Sequence, residues 1–319
     1  MPELHVFHHN DADGRCGGWV VKHRMEAIGT AWTSTVPIYS DIVFHEVDHG
    51  NYKLDPQRFV GKDVVIVDYC FTNEEMERLA IVTREFTWID HHKTAVERMI
   101  PFIADHADTF SKMKGIWDAK YKGKLTAGCA LAWMYYTGCV WEDVPEIVKY
   151  VSDRDVWVYE FGDRTRLFCC GFYYMADSNP NSNDWTAALL NPDSYIALGE
   201  AASKVYHKIL GEAGLSCGFW IEWEGYRCFA VNSMFKGSEA WERIAPDAEI
   251  YLVFSFNGRF WSVSMYTTNP DIDVSTIAKK YVWNGGLGGG HKGAAGFQCG
   301  YPPFLLVGNA TYIGGIRDV

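Results

Sequence analysis

Three short apolar runs in the first third of the chain each end in a carboxylate, and this repetition constrains the fold more than any other feature of the sequence. Leu4-His5-Val6-Phe7 leads into His8-His9-Asn10-Asp11-Ala12-Asp13-Gly14, Val64-Val65-Ile66-Val67 leads into Asp68, and Phe86-Thr87-Trp88-Ile89 leads into Asp90-His91-His92. Each run has the length and β-prone composition of a strand. Neighbouring side chains leave opposite faces of a strand, so Asp90, His91 and His92 cannot share a direction unless the chain turns where the strand ends. In an open α/β sheet, ligands bind in the crevice outside the carboxyl ends of the strands, which is where all three acidic endings would fall. Carboxylates and imidazoles gathered in one crevice suit divalent metal ions.

The rest of the chain fits around such a sheet. A helix is predicted over Arg15–Ile28, with Gly17 and Gly18 permitting a close approach of its first turn to a strand or ligand. Thr72 and Glu75 form a capping-box pattern opening a helix that runs to about Arg84, which gives a parallel strand-helix-strand unit ending at Asp90. Thr126–Thr137, apolar nearly all round, reads as a buried helix, and Val144–Val151 as a helix delivering Asp153 and Asp155. Asp41, Asp48 and Asp63 read as loop residues. Periodicity is poor from Phe161 to Asn191, as in a linker or lid, and Ser194–Glu212 reads as a connecting helix. Beyond Gly214, β-prone runs follow at Cys217–Trp223, Arg227–Val231, Ile250–Phe256 and Phe260–Met265, then a helix from Val274 to about Tyr281. A length of 319 residues accommodates two domains. The expected division is 1–160, a mostly helical linker region over 161–214, and 215–319.

Composition narrows the partners. A net charge of -11, from 40 acidic against 29 basic residues, argues against the broad Lys/Arg surface on which extended duplex binding rests. It leaves room for a short anionic substrate, because bound cations would dominate the local field of a carboxylate-lined cleft. Nine cysteines without a Cys-x-x-Cys pair exclude a zinc-ribbon pattern. Their odd number and the lack of a signal-like stretch lead to the expectation of a reducing, cytoplasmic setting. No run of apolar residues is long enough to predict a membrane span.

Taken together, these stretches resemble the DHH phosphoesterase superfamily. Asp11-x-Asp13-Gly14 is similar to its first motif, Asp68 to its second, Asp90-His91-His92 to its third and Ser152-Asp153-Arg154-Asp155-Val156-Trp157 to its fourth. Gly288-Gly289-Gly290-His291-Lys292-Gly293-Ala294-Ala295-Gly296-Phe297 resembles the glycine-rich signature of the DHH-associated C-terminal domain. The five motifs, in the expected order, run from about residue 4 to residue 298. The resemblance implies an α/β fold: an N-terminal parallel-sheet domain and a smaller C-terminal α/β domain, with the active site in the cleft between them.

The resemblance also implies two divalent ions, Mn2+ or Mg2+, with Asp68 as the bridge. His9 and Asp11 lean to one ion, and Asp13, His91 and Asp153 to the other. His8 is the alternate to His9, and Asp155 the alternate to Asp153. Asp90 is expected to fix a histidine tautomer, and His92 to touch the scissile phosphate or leaving group. Gly289, Gly290 and His291 are expected to hold a substrate phosphate. Where family members often carry an Arg-Ser pair, this chain has Met265-Tyr266-Thr267, so a cationic contact would have to come from Lys292, Arg259 or Lys236.

The expected activity is a metal-dependent phosphodiesterase or 3′-5′ exonuclease acting on short oligonucleotides or on linear or cyclic dinucleotides, releasing nucleoside monophosphates. A pyrophosphatase is the alternative enzyme, and a nucleotide sensor without turnover the alternative of a different class. Oligomeric state is left open by the sequence.

Overall fold

The three carboxylate-ending runs are adjacent strands of one sheet. β1 (Glu3–His9), β3 (Asp63–Val67) and β4 (Glu85–Asp90) lie side by side, with β2 (Asp41–Val47) outside β1 and β5 (Met113–Trp117) outside β4, giving the order β2-β1-β3-β4-β5. All four pairings are parallel. The chain builds outward from β1 to β2, then returns to place β3 on the other side. The crevice at that reversal, between β1 and β3, is where ligands bind in sheets of this kind.

The computed structural model describes residues 2–29, 39–48, 52–118, 120–121, 123–235, 237–281, 288–306 and 311–315. The chain divides into two compact units, Met1–Ser203 and Lys204–Val319. In the first, alternate residues of the strands face two cores, as a period of two requires. Val65 and Val67 join Leu4, Val6 and Ile89 beneath α1 (Ala12–Gly29). Val64 and Ile66 join Phe7, Phe86 and Trp88 on the opposite face, against α2 (Asn73–Val82) and α3 (Lys93–Asp105). The capping box at the start of α2 is formed, with Glu75 N–H donating to Thr72 Oγ1 and Thr72 N–H to Glu75 Oε2.

After a two-stranded ribbon, β6 (Lys120–Tyr121) and β7 (Lys124–Leu125), come α4 (Gly128–Thr137), buried from Gly128 through Met134, and α5 (Glu146–Asp155). Asp41 and Asp63, read from sequence as loop residues, open β2 and β3. Asp63 is buried and held by both Nε and Nη2 of Arg84.

The segment expected to link the two halves is largely part of the first unit. It forms α6 (Asp163–Met175) and α7 (Asp184–Leu190), followed by α8 (Pro192–Cys217), within which the unit boundary falls. Phe168, Cys169 and Phe172 of α6 and Trp185 and Ala188 of α7 are core residues. Periodicity failed to reveal α6 because Tyr173, Tyr174 and Met175 are apolar yet exposed, which blurs its amphipathic stripe.

The second unit carries a mixed sheet of seven strands. In chain order these are β8 (Gly218–Trp223), β9 (Tyr226–Asn232), β10 (Ile250–Phe256), β11 (Trp261–Tyr266), β12 (Gly288–Gly290), β13 (Ala294–Cys299) and β14 (Thr311–Gly315). Spatially they run β12-β13-β11-β10-β9-β8-β14, with only β9 and β10 parallel. The short helices α9 (Glu239–Ile244) and α10 (Val274–Ala278) and the second half of α8 also belong to this unit. No helix among the described residues is long and apolar enough to cross a membrane.

Trp185 is fully buried, with its ring 4.1 Å from Phe172 and 5.7 Å from Trp19. Trp185→Ala should therefore cost about 3–5 kcal/mol of unfolding free energy, measured by urea denaturation. A loss below about 1 kcal/mol would show that this segment is peripheral to the first unit.

Candidate metal centre

Strand alternation separates the two histidines that end β1. His8 is buried, with its Nδ1 2.9 Å from the His9 carbonyl, whereas His9 sits at the sheet's carboxyl edge with Nδ1 2.7 Å from Asp11 Oδ2. Asp11 also accepts the Gly14 N–H at 2.9 Å. A Cβ on Gly14 would lie 2.4 Å from the His9 carbonyl oxygen, so the turn from β1 into α1 is tight enough to need glycine.

Asp13, in the first turn of α1, meets the N-terminus of α4. Its Oδ2 accepts the Gly128 N–H at 2.7 Å and its Oδ1 the Cys129 N–H at 2.9 Å. A helix N-terminus offers unpaired N–H groups and the positive end of its dipole, both favourable to a carboxylate. Ser152, from the fourth motif, supplies the adjoining cap by accepting the Ala127 N–H at 3.0 Å. Gly128 permits this packing, since a Cβ there would lie 2.8 Å from Asp68 Cβ and 2.9 Å from Asp13 Oδ2.

Asp68 follows β3 in the left-handed region, at φ +58°. For a residue other than glycine this costs energy and persists only where the surroundings impose it. Its N–H continues the sheet by donating to the Ile89 carbonyl at 2.9 Å. The buried side chain has Oδ1 3.1 Å from His91 Nε2, and Oδ2 3.8 Å from His9 Nδ1. Asp90 Oδ1 accepts from the His91 N–H at 2.7 Å, the His92 N–H at 3.0 Å and His92 Nδ1 at 2.8 Å, which fixes the tautomer of His92.

The fourth motif departs from expectation. Asp155, the alternate, has Oδ2 3.3 Å from His91 Nε2. Asp153, the preferred residue in the sequence reading, has its carboxylate taken up by the Glu160 N–H at 2.7 Å, the Phe161 N–H at 3.2 Å and the Thr165 hydroxyl at 2.5 Å. The two lie on the final turn of α5, and a separation of two residues on a helix sends side chains in different directions. Spacing alone could not tell which one faces the sheet edge. Asp48 was also passed over in the sequence: it follows β2 at the same edge, 3.8 Å from His9 Nε2.

Two groups of side chains in the first unit can each converge on a cation: His9, Asp11 and Asp68, and Asp13, His91 and Asp155. Asp68, Asp90 and His92 form a third such group, and within each the candidate ligand atoms lie within 4.8 Å of one another. Burial, followed by the charges of Asp13 and Asp11, pushes the Asp68 and Asp155 carboxyls well above the usual carboxylate range. Burial and the neighbouring His92 hold His91 down to about 4, leaving a neutral imidazole with a lone pair to offer. Burial works against charge on His9 and His92 too, yet Asp11 raises the first to about 10 and Asp90 raises the second to about 9.

Asp68 Oδ2, Asp90 Oδ2 and Asp155 Oδ2 are buried without a hydrogen-bond partner. Buried carboxylate oxygens without donors are costly unless a cation meets them. The donor set, carboxylate oxygens with imidazole nitrogens, suits a divalent metal ion.

The glycine-rich segment lies in the second unit and forms a β-hairpin. Gly288–Gly290 form the edge strand β12 against β13, and His291 and Ala294 close the turn. Gly290 has φ +138°, and a Cβ there would lie 2.6 Å from the Ala294 carbonyl. Its glycine is thus required by the hairpin itself. Lys236 lies outside the described residues.

No family model matches the chain. A curated relative, the uncharacterized protein R106 of Acanthamoeba polyphaga mimivirus, is 23% identical over 265 residues, which are 79% of this chain and 57% of the relative. The chain thus spans little more than half that relative's length. Similar solved structures include the pGpG-specific phosphodiesterase PggH from Vibrio cholerae, at TM-score 0.47 and 13% identity over 94% of each chain. An exopolyphosphatase-related protein from Bacteroides fragilis matches at TM-score 0.46 and 13% identity, over 92% of this chain and 86% of that one. RecJ from Thermus thermophilus, in complex with Mn2+, matches at TM-score 0.43 and 14% identity, over 93% of this chain and 49% of that one.

The crowding of buried carboxylates gives a test of its own. Removing one charge by Asp68→Asn should raise the stability of chelator-treated protein at pH 7 by on the order of 1 kcal/mol or more, one unit of pKa shift being worth about 1.4 kcal/mol. The sign follows from linkage. A carboxyl whose pKa is raised in the folded state contributes stability that is present below its unfolded value and is lost as pH rises through the folded one, so by neutral pH a carboxyl at position 68 costs stability that an amide does not. The same substitution should abolish any rise in thermal midpoint on adding Mn2+. An unchanged Mn2+ response would remove Asp68 from the centre.

Proposed function

We propose that the chain is a member of the DHH phosphoesterase superfamily and a two-metal phosphodiesterase or 3′-5′ exonuclease. In this reading it hydrolyses short oligonucleotides, or linear or cyclic dinucleotides, to nucleoside monophosphates. The observation that carries it is the pair of ligand groups meeting at one sheet edge. His9, Asp11 and Asp68 form one, Asp13, His91 and Asp155 the other, and the 3.1 Å approach of Asp68 to His91 joins them. Asp68 stands in the first group and faces the second, the position a bridging ligand would take.

When bound, a pair of divalent cations lowers the pKa of water and stabilises the attacking and leaving oxygens of an in-line displacement. The chain's own groups would do the rest. Asp68 divides its two oxygens between the two groups. Asp13, fastened to the N-terminus of α4, is held in one orientation. Asp90 keeps the Nδ1 proton on His92 and so orients the ring. Asp90 raises the His92 pKa above the ordinary histidine value, and protonated His92 would donate to a phosphate oxygen or protonate the leaving group, a contribution of about 10²–10⁴ in rate.

Chelator-stripped protein should be inactive, and Mn2+ should restore hydrolysis on a panel of di- to decanucleotides, cyclic dinucleotides and pyrophosphate. Hydrolysis of pyrophosphate alone would replace this reading with a pyrophosphatase. Binding of dinucleotide without turnover would replace it with a sensor. Asp68→Ala should lose both equivalents of Mn2+ counted by equilibrium dialysis, whereas His92→Gln should keep the metal and lose about a hundredfold or more in kcat. Loss of metal from His92→Gln would move that residue into the ligand set.

A further inference from the structure

Asp155 presents a difficulty of placement, because it is carried by a helix end and not by a strand. Its buried Oδ2 lies 3.3 Å from His91 Nε2 but, like Asp68 Oδ2, makes no hydrogen bond, so no donor fixes where it points. It is the last residue of α5, where helices fray. The chain beyond it is unfavourable by itself, with Trp157 at φ +56° and Tyr159 at φ +52°. Left-handed backbone in bulky aromatic residues is a true outlier that survives only when neighbouring structure enforces it.

What enforces it is Asp153. Its backbone carbonyl accepts the Val158 N–H at 3.2 Å, and its carboxylate accepts from the Glu160 and Phe161 N–H groups and the Thr165 hydroxyl. These bonds reach across the turn and tie the first turn of α6 to the last turn of α5. Asp153 is thereby a buried clamp on a segment that starts one residue after Asp155. Arg166 adds a second fastening by lying over the Tyr159 ring at 4.2 Å.

We infer that Asp153 is a positioning residue: by clamping residues 156–165 it fixes the end of α5 and so aims the Asp155 carboxylate at the site it shares with Asp13 and His91. The inference rests on the reading of Asp155 as a metal ligand, and goes beyond it by assigning the other acidic residue of the fourth motif, Asp153, a different task. Partners that orient ligands typically matter by about 10- to 100-fold in metal affinity.

The test uses Thr165, which is buried and whose hydroxyl donates to Asp153. Thr165→Val keeps the shape and removes one donor, while Thr165→Ser keeps the hydroxyl. Mn2+ dissociation constants would be measured on the full chain by electron paramagnetic resonance, in the wild-type background and with Asp155→Ala. Thr165→Val should weaken binding about tenfold, Thr165→Ser should restore it, and Thr165→Val should change nothing further once Asp155 is gone. A purely structural effect would lower affinity by the same factor in both backgrounds, which would overturn the inference. So would unchanged affinity in Thr165→Val with Asp155→Ala impaired. If Asp155→Ala itself binds Mn2+ normally, the ligand assignment fails first and the inference with it. An Asp153→Asn variant that loses as much metal as Asp155→Ala while Thr165→Val loses none would make Asp153 a ligand, and would likewise overturn it.

Discussion

The structure depends on holding several desolvated carboxylates together at one edge of a sheet. Asp13, Asp68, Asp90 and Asp155 crowd around His91 and His92, and their like charges oppose one another in an environment too dry to screen them. Folding energy drawn from the two hydrophobic faces must therefore sustain a site that is unfavourable without a counter-charge. Part of the compensation is intrinsic: two N–H groups of α4 meet Asp13, and the backbone at His91 and His92 meets Asp90. The remainder falls on the three oxygens without donors, which is why a cation is the natural complement.

The parallel topology supplies the geometry for this. Reversal of the strand order between β1 and β3 opens a crevice, and strands that end together place their last side chains at its mouth. Glycines at 14 and 128 then let elements approach closely enough for the carboxylates to converge. Strain at Asp68 is the counterpart of that closeness: its left-handed backbone turns the side chain inward while its N–H stays in the sheet.

The second unit follows a different logic. Its sheet is mixed, one face is closed by α10, and the glycine-rich segment serves as an edge hairpin whose positive φ values explain the residue type without invoking a ligand. The physics of anion binding at helix N-termini does not apply to this hairpin. Any role for Gly289, Gly290 and His291 toward substrate would have to come from the turn's own N–H groups and the imidazole.

Much of this was legible in the linear sequence. Apolar runs with acidic ends identified β1, β3 and β4, the Thr72–Glu75 pattern identified the start of α2, and periodicity identified α1, α4 and most strands of the second unit, because these signals are local and repeat along the chain. The residue types at the site were legible for the same reason: Asp11, Asp68, Asp90, His91 and His92 follow or close strands, and Asp13 opens the helix after the first of them. What tertiary structure alone decided was which member of each ambiguous pair faces the crevice. His9 rather than His8 reaches it through the phase of the strand, and Asp155 rather than Asp153 through the roll of α5 against the sheet. Helices α6 and α7 likewise became visible only when packed, since exposed Tyr173 and Tyr174 hide the stripe of α6, and α7 is short with its apolar Leu190 exposed. Sequence determines which chemical groups exist and how they are spaced along the chain. Direction is set by packing against elements far away in sequence, and no local pattern encodes it.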